Sequence, residues 1–280
     1  MEKFQKKFKK NITRVYKAFN KMEMRVLPGN VAFFFVLALI PIISMVIAVV
    51  SRFSISIDAV TNFVEKFLPK DASNIIVNVI AGKSFDGSLG VFSFVILLVA
   101  TNGTYAIINA SNTLYGIKKS DVVKDRVKSL VLLSILLLLI VFILAVPVFG
   151  GKILALIHNN YLNSNVVLLY KIIKWPLTFF FIYVTLKLIY TISPSKKINS
   201  SSTTYGALFT TIIWIIATII FSYYLKYFAN YNIIYGNLSS IIILMIWIYL
   251  ISYVFVMGIA INSVYYEESK VGILKIKKFK

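Results

Sequence analysis

The sequence predicts an all-α fold, a polytopic membrane protein with six transmembrane helices, and two observations support this prediction. Only 14% of the 280 residues are charged and 59% are hydrophobic, with a mean hydropathy of +0.84, whereas a soluble domain carries roughly a quarter charged residues. Several apolar runs exceed the ~20 residues that a helix needs to cross ~30 Å of hydrocarbon. One of them, residues 227–262, contains no charge. These runs are continuously apolar, which favours helices over alternating membrane strands.

The apolar runs divide the chain into a basic N-terminal segment (1–27), a transmembrane domain (28–266) and a basic tail (267–280). The six predicted spans cover about residues 31–51, 87–113, 129–149, 166–192, 204–228 and 237–265. The stretch "NYNIIYGN" before the sixth span is typical of a tight external turn. Gly236 tolerates unusual backbone angles there, and Asn237 can cap the helix that follows.

The N-terminal segment is predicted to form an amphipathic helix on the cytoplasmic side. Lysine and arginine fill many of its positions, and its apolar residues recur every three or four positions: Phe4, Phe8, Ile12, Val15, Phe19, Met22 and Val26. This pattern favours a helix that lies on the inner membrane surface and contacts anionic lipid headgroups. Docking beneath the bundle is the alternative, and periodicity does not separate the two. Pro28 and Gly29 are expected to break this helix before the first span.

The net charge of +20 could also indicate a nucleic-acid partner. No module of interleaved basic and aromatic residues is present, however, and the basic residues follow the loops of one side of the membrane. They are concentrated in the N-terminal segment, in the loops after the second and fourth spans, and in the tail. Because cytoplasmic loops are enriched in lysine and arginine, both termini are predicted to be cytoplasmic, and no nucleic-acid partner is expected.

The first outer loop, residues 54–83, is too long for a simple turn. It contains "DAVTNFVEKFL" and "ASNIIVNVIAG", in which apolar residues recur at helical spacing, and Pro69 lies between them. Two short amphipathic helices are therefore predicted to lie across the outer face.

Groups that catalysis requires are scarce. The chain has no cysteine, one histidine (His158, expected in an outer loop) and ten Asp and Glu residues. Neither a Walker A loop nor a G-x-S-x-G motif nor a cluster of metal ligands is present. We therefore predict no enzymatic activity, no cofactor and no metal site.

The acids of the inner loop, Asp121 and Asp125, are expected to pair with neighbouring cations. No carboxylate lies inside a predicted span, which argues against proton coupling.

Polar side chains within the spans are the best candidates for a site, because they tend to face a bundle interior or a water-filled cavity. Asn102, Asn109 and Asn112 fall near one face of the second span. They could line a cavity or hold helices together, since amides serve both roles in membranes, and the sequence leaves both open.

The fourth span adds Lys171 and Lys174, which share a helical face. Lysines near a span end commonly snorkel to the interface, and the alternative is that these two hold an anionic headgroup or solute. Asn262 in the sixth span and Pro41 in the first complete the predicted cavity residues.

Four stretches resemble, in order along the chain, the YihY/virulence factor BrkB family. They are "GNVAFFFVLALIPII", "NTLYGIKKS", "TISPSKKINSSSTTYGALFTTIIW" and "IYGNLSSIIILMIWIYLISYVFVMGIAIN". The resemblance implies a six-span protein of the bacterial inner membrane with both termini inside, and a transport role has been suggested for the family. A ribonuclease name once given to the family finds no support in these residues. Family members often carry an acid in the last span, where this chain has Ala260.

The scarcity of catalytic groups and the asparagines of the second span together predict transport of a solute, or movement of lipid between leaflets, through a polar intramembrane cavity. The alternative is a non-transporting scaffold or lipid-binding protein in envelope assembly, with an envelope protein as partner. The large amphipathic surface of the N-terminal segment and outer loop favours that alternative. The substrate, the energy coupling and the oligomeric state stay open.

Overall fold

The computed structural model describes residues 12–13, 15–52, 90–118, 120–161, 164–227 and 235–278. Within these ranges the chain forms no strand, and its long helices are α1 (Leu27–Arg52), α2 (Gly90–Leu114), α3 (Val122–Tyr161), α4 (Ser164–Ile192), α5 (Thr204–Tyr227) and α6 (Ser239–Lys278). Short 3₁₀ turns occupy Met22–Arg25, Ser200–Thr203 and Gly236–Leu238. The two helices predicted in the first outer loop lie outside the described residues.

Each of these helices covers most of one predicted span, and the described residues confirm the all-α class, but several helix ends differ from the prediction. α3 begins at Val122, before the apolar run, and ends at Tyr161, so that His158 is helical and not in a loop. α6 continues through the predicted tail to Lys278. Pro28 was predicted to end the N-terminal helix before the first span, but it lies in the first turn of α1. Proline is tolerated there because the first N–H groups of a helix have no partner within it.

The two helical stretches that meet the length and hydropathy of a membrane span, among the residues searched, are Ser200–Tyr227 and Ile241–Glu267. Their environments differ, since 17% of the most apolar 18 residues of the first stretch are buried inside the protein, against 56% for the second. α6 is the central helix, because it packs against α1, α2 and α5. Neighbours along the chain also pack together, α1 with α2, α2 with α3, α3 with α4 and α4 with α5, and α1 contacts α3.

The outer surface of α5 is apolar and exposed, as expected of a helix that faces lipid. Its exposed side chains are Leu208, Ile212, Ile215, Ile216, Ile219 and Ile220. Exposed tyrosines lie at both ends, Tyr205 at one and Tyr223 and Tyr227 at the other. At ~1.5 Å per residue, about 27 Å separates Tyr205 from Tyr223, which matches the spacing of aromatic residues at the two interfaces of a bilayer.

α5 and α6 cross in close contact at Gly206 and Gly258. A Cβ atom on Gly206 would collide with the carbonyl oxygen of Gly258, and one on Gly258 would collide with the hydroxyl groups of Thr210 and Tyr190. The fully buried Tyr190 of α4 donates a hydrogen bond to the Phe255 carbonyl (2.9 Å). Small residues with hydroxyl donors are the usual means by which membrane helices approach closely.

Residues 15–27 of the N-terminal segment dock on the bundle through one side and expose the other. Ala18 and Met24 are buried in the same core as residues of α2, α4 and α6. Lys21 fixes this position: its ammonium donates to the Leu114 carbonyl at the end of α2 (3.2 Å), to Ser263 Oγ (2.9 Å) and to Glu267 Oε1 (3.2 Å). The apolar residues that the structure leaves exposed are Ile12, Tyr16, Phe19, Met22 and Val26.

Lys21→Met is therefore expected to release the segment from the bundle, because three acceptors lose one shared charged donor. Hydrogen–deuterium exchange of the amides of residues 15–26 should become faster by about tenfold, since bonds to a charged group contribute roughly 1.5–3 kcal/mol. Lys17→Met, at an exposed position of the same segment, is the matched control and should leave the exchange unchanged. Equal exchange rates in the two variants would show that Lys21 does not hold the segment.

Candidate functional site

A buried polar cluster lies where α2 ends, α3 begins and the chain passes from α4 to α5. It consists of Asn112, Asp125 and Ser195 and is called the Asp125 cluster below. Ser195 Oγ donates to Asp125 Oδ1 (2.6 Å), and Asn112 Nδ2 donates to Ser195 Oγ (2.7 Å) and more weakly to Asp125 Oδ2 (3.4 Å). The Ser195 N–H donates in turn to Asn112 Oδ1 (2.8 Å). Asp125 is only 1% exposed and Asn112 only 6%.

Asp125 is directed inward by the way in which α3 begins. Asp121 Oδ1 accepts the N–H groups of Val123 and Lys124 (3.1 and 3.3 Å) and so caps the helix. Hydrogen bonds from the backbone and side chain of Lys124 lower the pKa of Asp121. Asp125 follows one turn later, on the same face as the buried Ser129 and Leu132.

Neighbouring contacts attach the α4–α5 connection to the same place. Ser111 and Ser193, both fully buried, have hydroxyl oxygens 2.7 Å apart. Lys128 Nζ donates to the Pro194 carbonyl (2.9 Å). Burial lowers the pKa of Lys128, and the nearby Asp125 opposes that shift. The segment 193–195 is therefore held by α2 on one side and by α3 on the other.

The three asparagines predicted on one face of α2 are not brought together. Asn112 belongs to the Asp125 cluster, whereas Asn102 accepts a hydrogen bond from Arg126 Nη1 (2.9 Å) at the surface. Asn109 is exposed. Its backbone carbonyl accepts from Thr113 Oγ1 (2.9 Å), but no partner of its side chain is found in the part of the chain that the structure describes.

Asn262 of α6 is fully buried and bonds to the start of α5. Its Oδ1 accepts the Gly206 N–H (2.8 Å), one of the amides that a helix leaves without an intrahelical partner in its first turn. Its Nδ2 has no hydrogen-bond partner among the described residues. The asparagine therefore caps α5 from the neighbouring helix, and the missing Cβ of Gly206 gives it room.

The remaining predicted site residues lie apart from the Asp125 cluster in sequence. Lys171 and Lys174 lie in α4, and their side chains fall outside what the structure describes. Pro41 is a buried residue inside α1. A search of the described residues finds no group of three His, Cys, Asp or Glu side chains that could hold a metal ion.

Of the two acids expected to pair with neighbouring cations, one does so and the other does not. Asp121 does pair with a cation, since its Oδ2 lies 3.3 Å from Lys124 Nζ. Asp125, in contrast, is hydrogen-bonded to Ser195 and Asn112. The position of Asp125 also shows that the bundle can bury an acid that lies outside a predicted span. The signal was present in the sequence, because Asp125, Ser129, Leu132 and Leu133 recur at the three-to-four residue spacing of a buried helix face.

The profile of the Virulence factor BrkB family matches residues 15–278. The chain belongs to this family. Three of the four stretches that carry the resemblance contact one another in this BrkB-family protein. "NTLYGIKKS" contains Asn112, the Pro-containing inner loop contains Ser195 and Gly206, and the last stretch contains Asn262.

Relatives of this BrkB-family protein are found in several bacteria. It is 29% identical over 247 residues to "Putative ribonuclease-like protein YfkH" of Bacillus subtilis (strain 168), covering 86% of this chain and 90% of the relative. It is 24% identical over 259 residues to a "UPF0761 membrane protein" of Pseudoalteromonas atlantica (86% and 82%). A protein of the same name from Coxiella burnetii (strain RSA 493 / Nine Mile phase I) is 32% identical over 102 residues, 33% of this chain and 37% of the relative. No solved structure gives a significant match.

Proposed function

We propose that this BrkB-family protein crosses the bacterial cytoplasmic membrane six times and moves a solute, or a lipid between leaflets, through its polar interior. α1 to α6 supply one helix for each proposed span. Both termini are proposed to be cytoplasmic, because lysine and arginine are concentrated beside the ends of α2, α4 and α6 and the starts of α1, α3 and α5.

The observation that carries the proposal is the Asp125 cluster. Burying a carboxyl group inside a protein costs free energy unless other groups compensate it. Here the compensation comes from two separate parts of the chain, the α2–α3 hairpin and the segment 193–195. If these hydrogen bonds are exchanged for bonds to water, a proton or a substrate, the two parts can separate on the cytoplasmic side. We therefore assign the cluster and the adjacent serine pair to a cytoplasmic gate.

A reversible crosslink tests this gate directly. The chain contains no cysteine, and the hydroxyl oxygens of Ser111 and Ser193 are 2.7 Å apart. The double variant Ser111→Cys/Ser193→Cys should therefore form a disulfide with little backbone movement. The purified variant is reconstituted in liposomes, and exchange of labelled phospholipid between leaflets is measured beside uptake of labelled metabolites.

Oxidised protein is expected to lose its activity, and a thiol reductant should restore it. The single variant Ser111→Cys is the control and should respond to neither treatment. Absence of any flux by wild-type protein above protein-free liposomes would reject transport itself. Equal flux by crosslinked and reduced protein would reject the gate.

We also propose that the protein acts without enzymatic turnover, cofactor or nucleic-acid partner. This includes the ribonuclease activity that the name of the Bacillus relative suggests. Degradation of RNA by the purified protein, lost in Asp125→Asn but retained in Asp121→Asn, would contradict this part of the proposal.

A second candidate function is a non-transporting scaffold or lipid-binding protein in envelope assembly, with an envelope protein as partner. The observation that favours it is the exposed apolar side of the N-terminal segment, where Ile12, Tyr16, Phe19, Met22 and Val26 follow a helical spacing. In-cell crosslinking from Met22 would recover a protein partner if this candidate is right. If Met22 lies on the membrane, the crosslinks will go to lipid.

A further inference from the structure

An exposed polar surface on α2 and α3 lies beside the Asp125 cluster but does not share its residues. Asn102, Tyr105 and Asn109 follow one side of α2 at intervals of three and four residues, and all three are at least partly exposed. Arg126 of α3 lies over this side, with its guanidinium carbon 4.2 Å from the centre of the Tyr105 ring and Nη1 2.9 Å from Asn102 Oδ1. These four residues are called the Arg126 surface below.

The position of the Arg126 surface in the bilayer follows from α3. After Lys128 the helix carries no charge until Lys152, a run of about 34 Å that matches the hydrocarbon thickness. The hydrocarbon therefore begins near Ser129. Thr104 Oγ1 donates to the Ser129 carbonyl (2.7 Å), which places residue 104 of α2 at the same depth.

Tyr105 and Arg126 accordingly lie at the boundary between headgroups and hydrocarbon. Asn102 lies about 3 Å deeper than residue 104, and Asn109 about 7 Å closer to the aqueous side. The depth from Tyr105 to Asn109 is the one that the glycerol and phosphate groups of a phospholipid occupy. Tyrosine is common at this depth, because its ring is apolar and its hydroxyl is polar.

The chemistry of the Arg126 surface fits a phosphate group. Arginine presents a planar fork of five N–H donors that binds phosphate through two parallel hydrogen bonds, and only its bond to Asn102 appears among the described hydrogen bonds. The Asn109 amide adds a donor on the same side. An exposed cation beside lipid is unfavourable without an anionic partner, and anionic lipid headgroups supply one at this depth.

We propose that Arg126 and Asn109 bind the phosphate of an anionic phospholipid, with Asn102 orienting the guanidinium and Tyr105 packing beside the glycerol group. The lipid belongs to the cytoplasmic leaflet in the orientation proposed above. The site does not depend on transport, because a protein without flux would bind lipid here equally well.

Native mass spectrometry of the detergent-purified protein tests the site. Protein is titrated with phosphatidylglycerol or with phosphatidylcholine of the same acyl chains, and the fraction carrying one lipid is measured. Arg126→Gln should weaken phosphatidylglycerol binding roughly tenfold, as expected for loss of charge-assisted hydrogen bonds. Asn109→Leu, at an exposed position, should weaken it less. Lys124→Gln removes the same charge from an 82% exposed side chain two residues earlier and should leave binding unchanged.

Phosphatidylcholine is expected to bind more weakly than phosphatidylglycerol, because its choline cation cancels the charge of the phosphate. Unchanged phosphatidylglycerol binding in both Arg126→Gln and Asn109→Leu would overturn the proposal, and so would equal loss in Arg126→Gln and Lys124→Gln. Displacement of the lipid by millimolar glycerol phosphate would also overturn it, since the ligand would then be a soluble phosphate compound.

Discussion

Replacing Gly258 by alanine is expected to destabilise the protein by about 3 kcal/mol or more, because the added methyl group has no space at the closest helix crossing. It would collide with the hydroxyl groups of Thr210 and Tyr190, and α5 and α6 would have to move apart. Separation would in turn strain the 2.8 Å bond between the Gly206 N–H and Asn262. Gly206→Ala should have an effect of similar size, because its methyl group meets the Gly258 carbonyl and the Asn262 amide.

The matched control is Gly29→Ala in α1, where the nearest atom to the new methyl group is Tyr249 Cε2 at 4.0 Å. This change should be neutral or stabilising by up to about 1 kcal/mol, since alanine favours helix. The measurement is the temperature at which detergent-solubilised protein loses its monodisperse elution peak. A Gly258→Ala variant as stable as Gly29→Ala would show that α5 and α6 can separate at little cost.

Asp125→Ala should destabilise the protein by about 3 kcal/mol, because two buried donors lose their acceptor. The Ser195 hydroxyl and the Asn112 amide both donate to this carboxyl group, and the cavity left by the truncation adds to the loss. Asp125→Asn should fall between wild type and Asp125→Ala. It retains a carbonyl for Ser195 but turns an NH₂ group towards the NH₂ group of Asn112.

Asp121→Ala removes the exposed acid one turn earlier and should have a smaller effect, limited to the helix cap and the contact with Lys124. The same elution assay, repeated with urea titration, separates the two acids. If Asp121→Ala is as damaging as Asp125→Ala, the stability comes from the start of α3 and not from the Asp125 cluster.

The helices could be located from the sequence because lipid-facing helices leave long apolar runs, but their ends could not. α3 begins at Val122 because Asp121 caps it, and capping is a local hydrogen-bonding feature that hydropathy does not record. The first two turns of α3 are therefore helical although they carry charged residues, and an apolar run does not reveal them. Similarly, nothing in the apolar pattern marks the continuation of α6 to Lys278, since lysine and glutamate are good helix formers in water.

The candidate site was only partly predictable for a related reason. At about 100° per residue, Asn102 and Asn109 lie ~20° apart on α2, whereas Asn112 lies ~60° beyond Asn109. That angle is enough to pass from an exposed side chain to a buried one, but a helical projection places all three on one broad face. The partner segment 193–195 is distant in sequence, and only tertiary packing brings Ser195 to Asp125.

The length of α6 has a mechanical consequence. Its 40 residues span about 60 Å, twice the hydrocarbon thickness, and the buried residues that the structure describes in it lie in the first part of the helix, from Ser239 to Val264. Because the bundle holds this first part, a tilt of about 10° around its midpoint, near residue 252, displaces the C-terminal end of the helix by about 7 Å. A rigid helical reporter fused in register to the C-terminal end would therefore magnify small movements inside the bundle into a distance change that spectroscopy can measure.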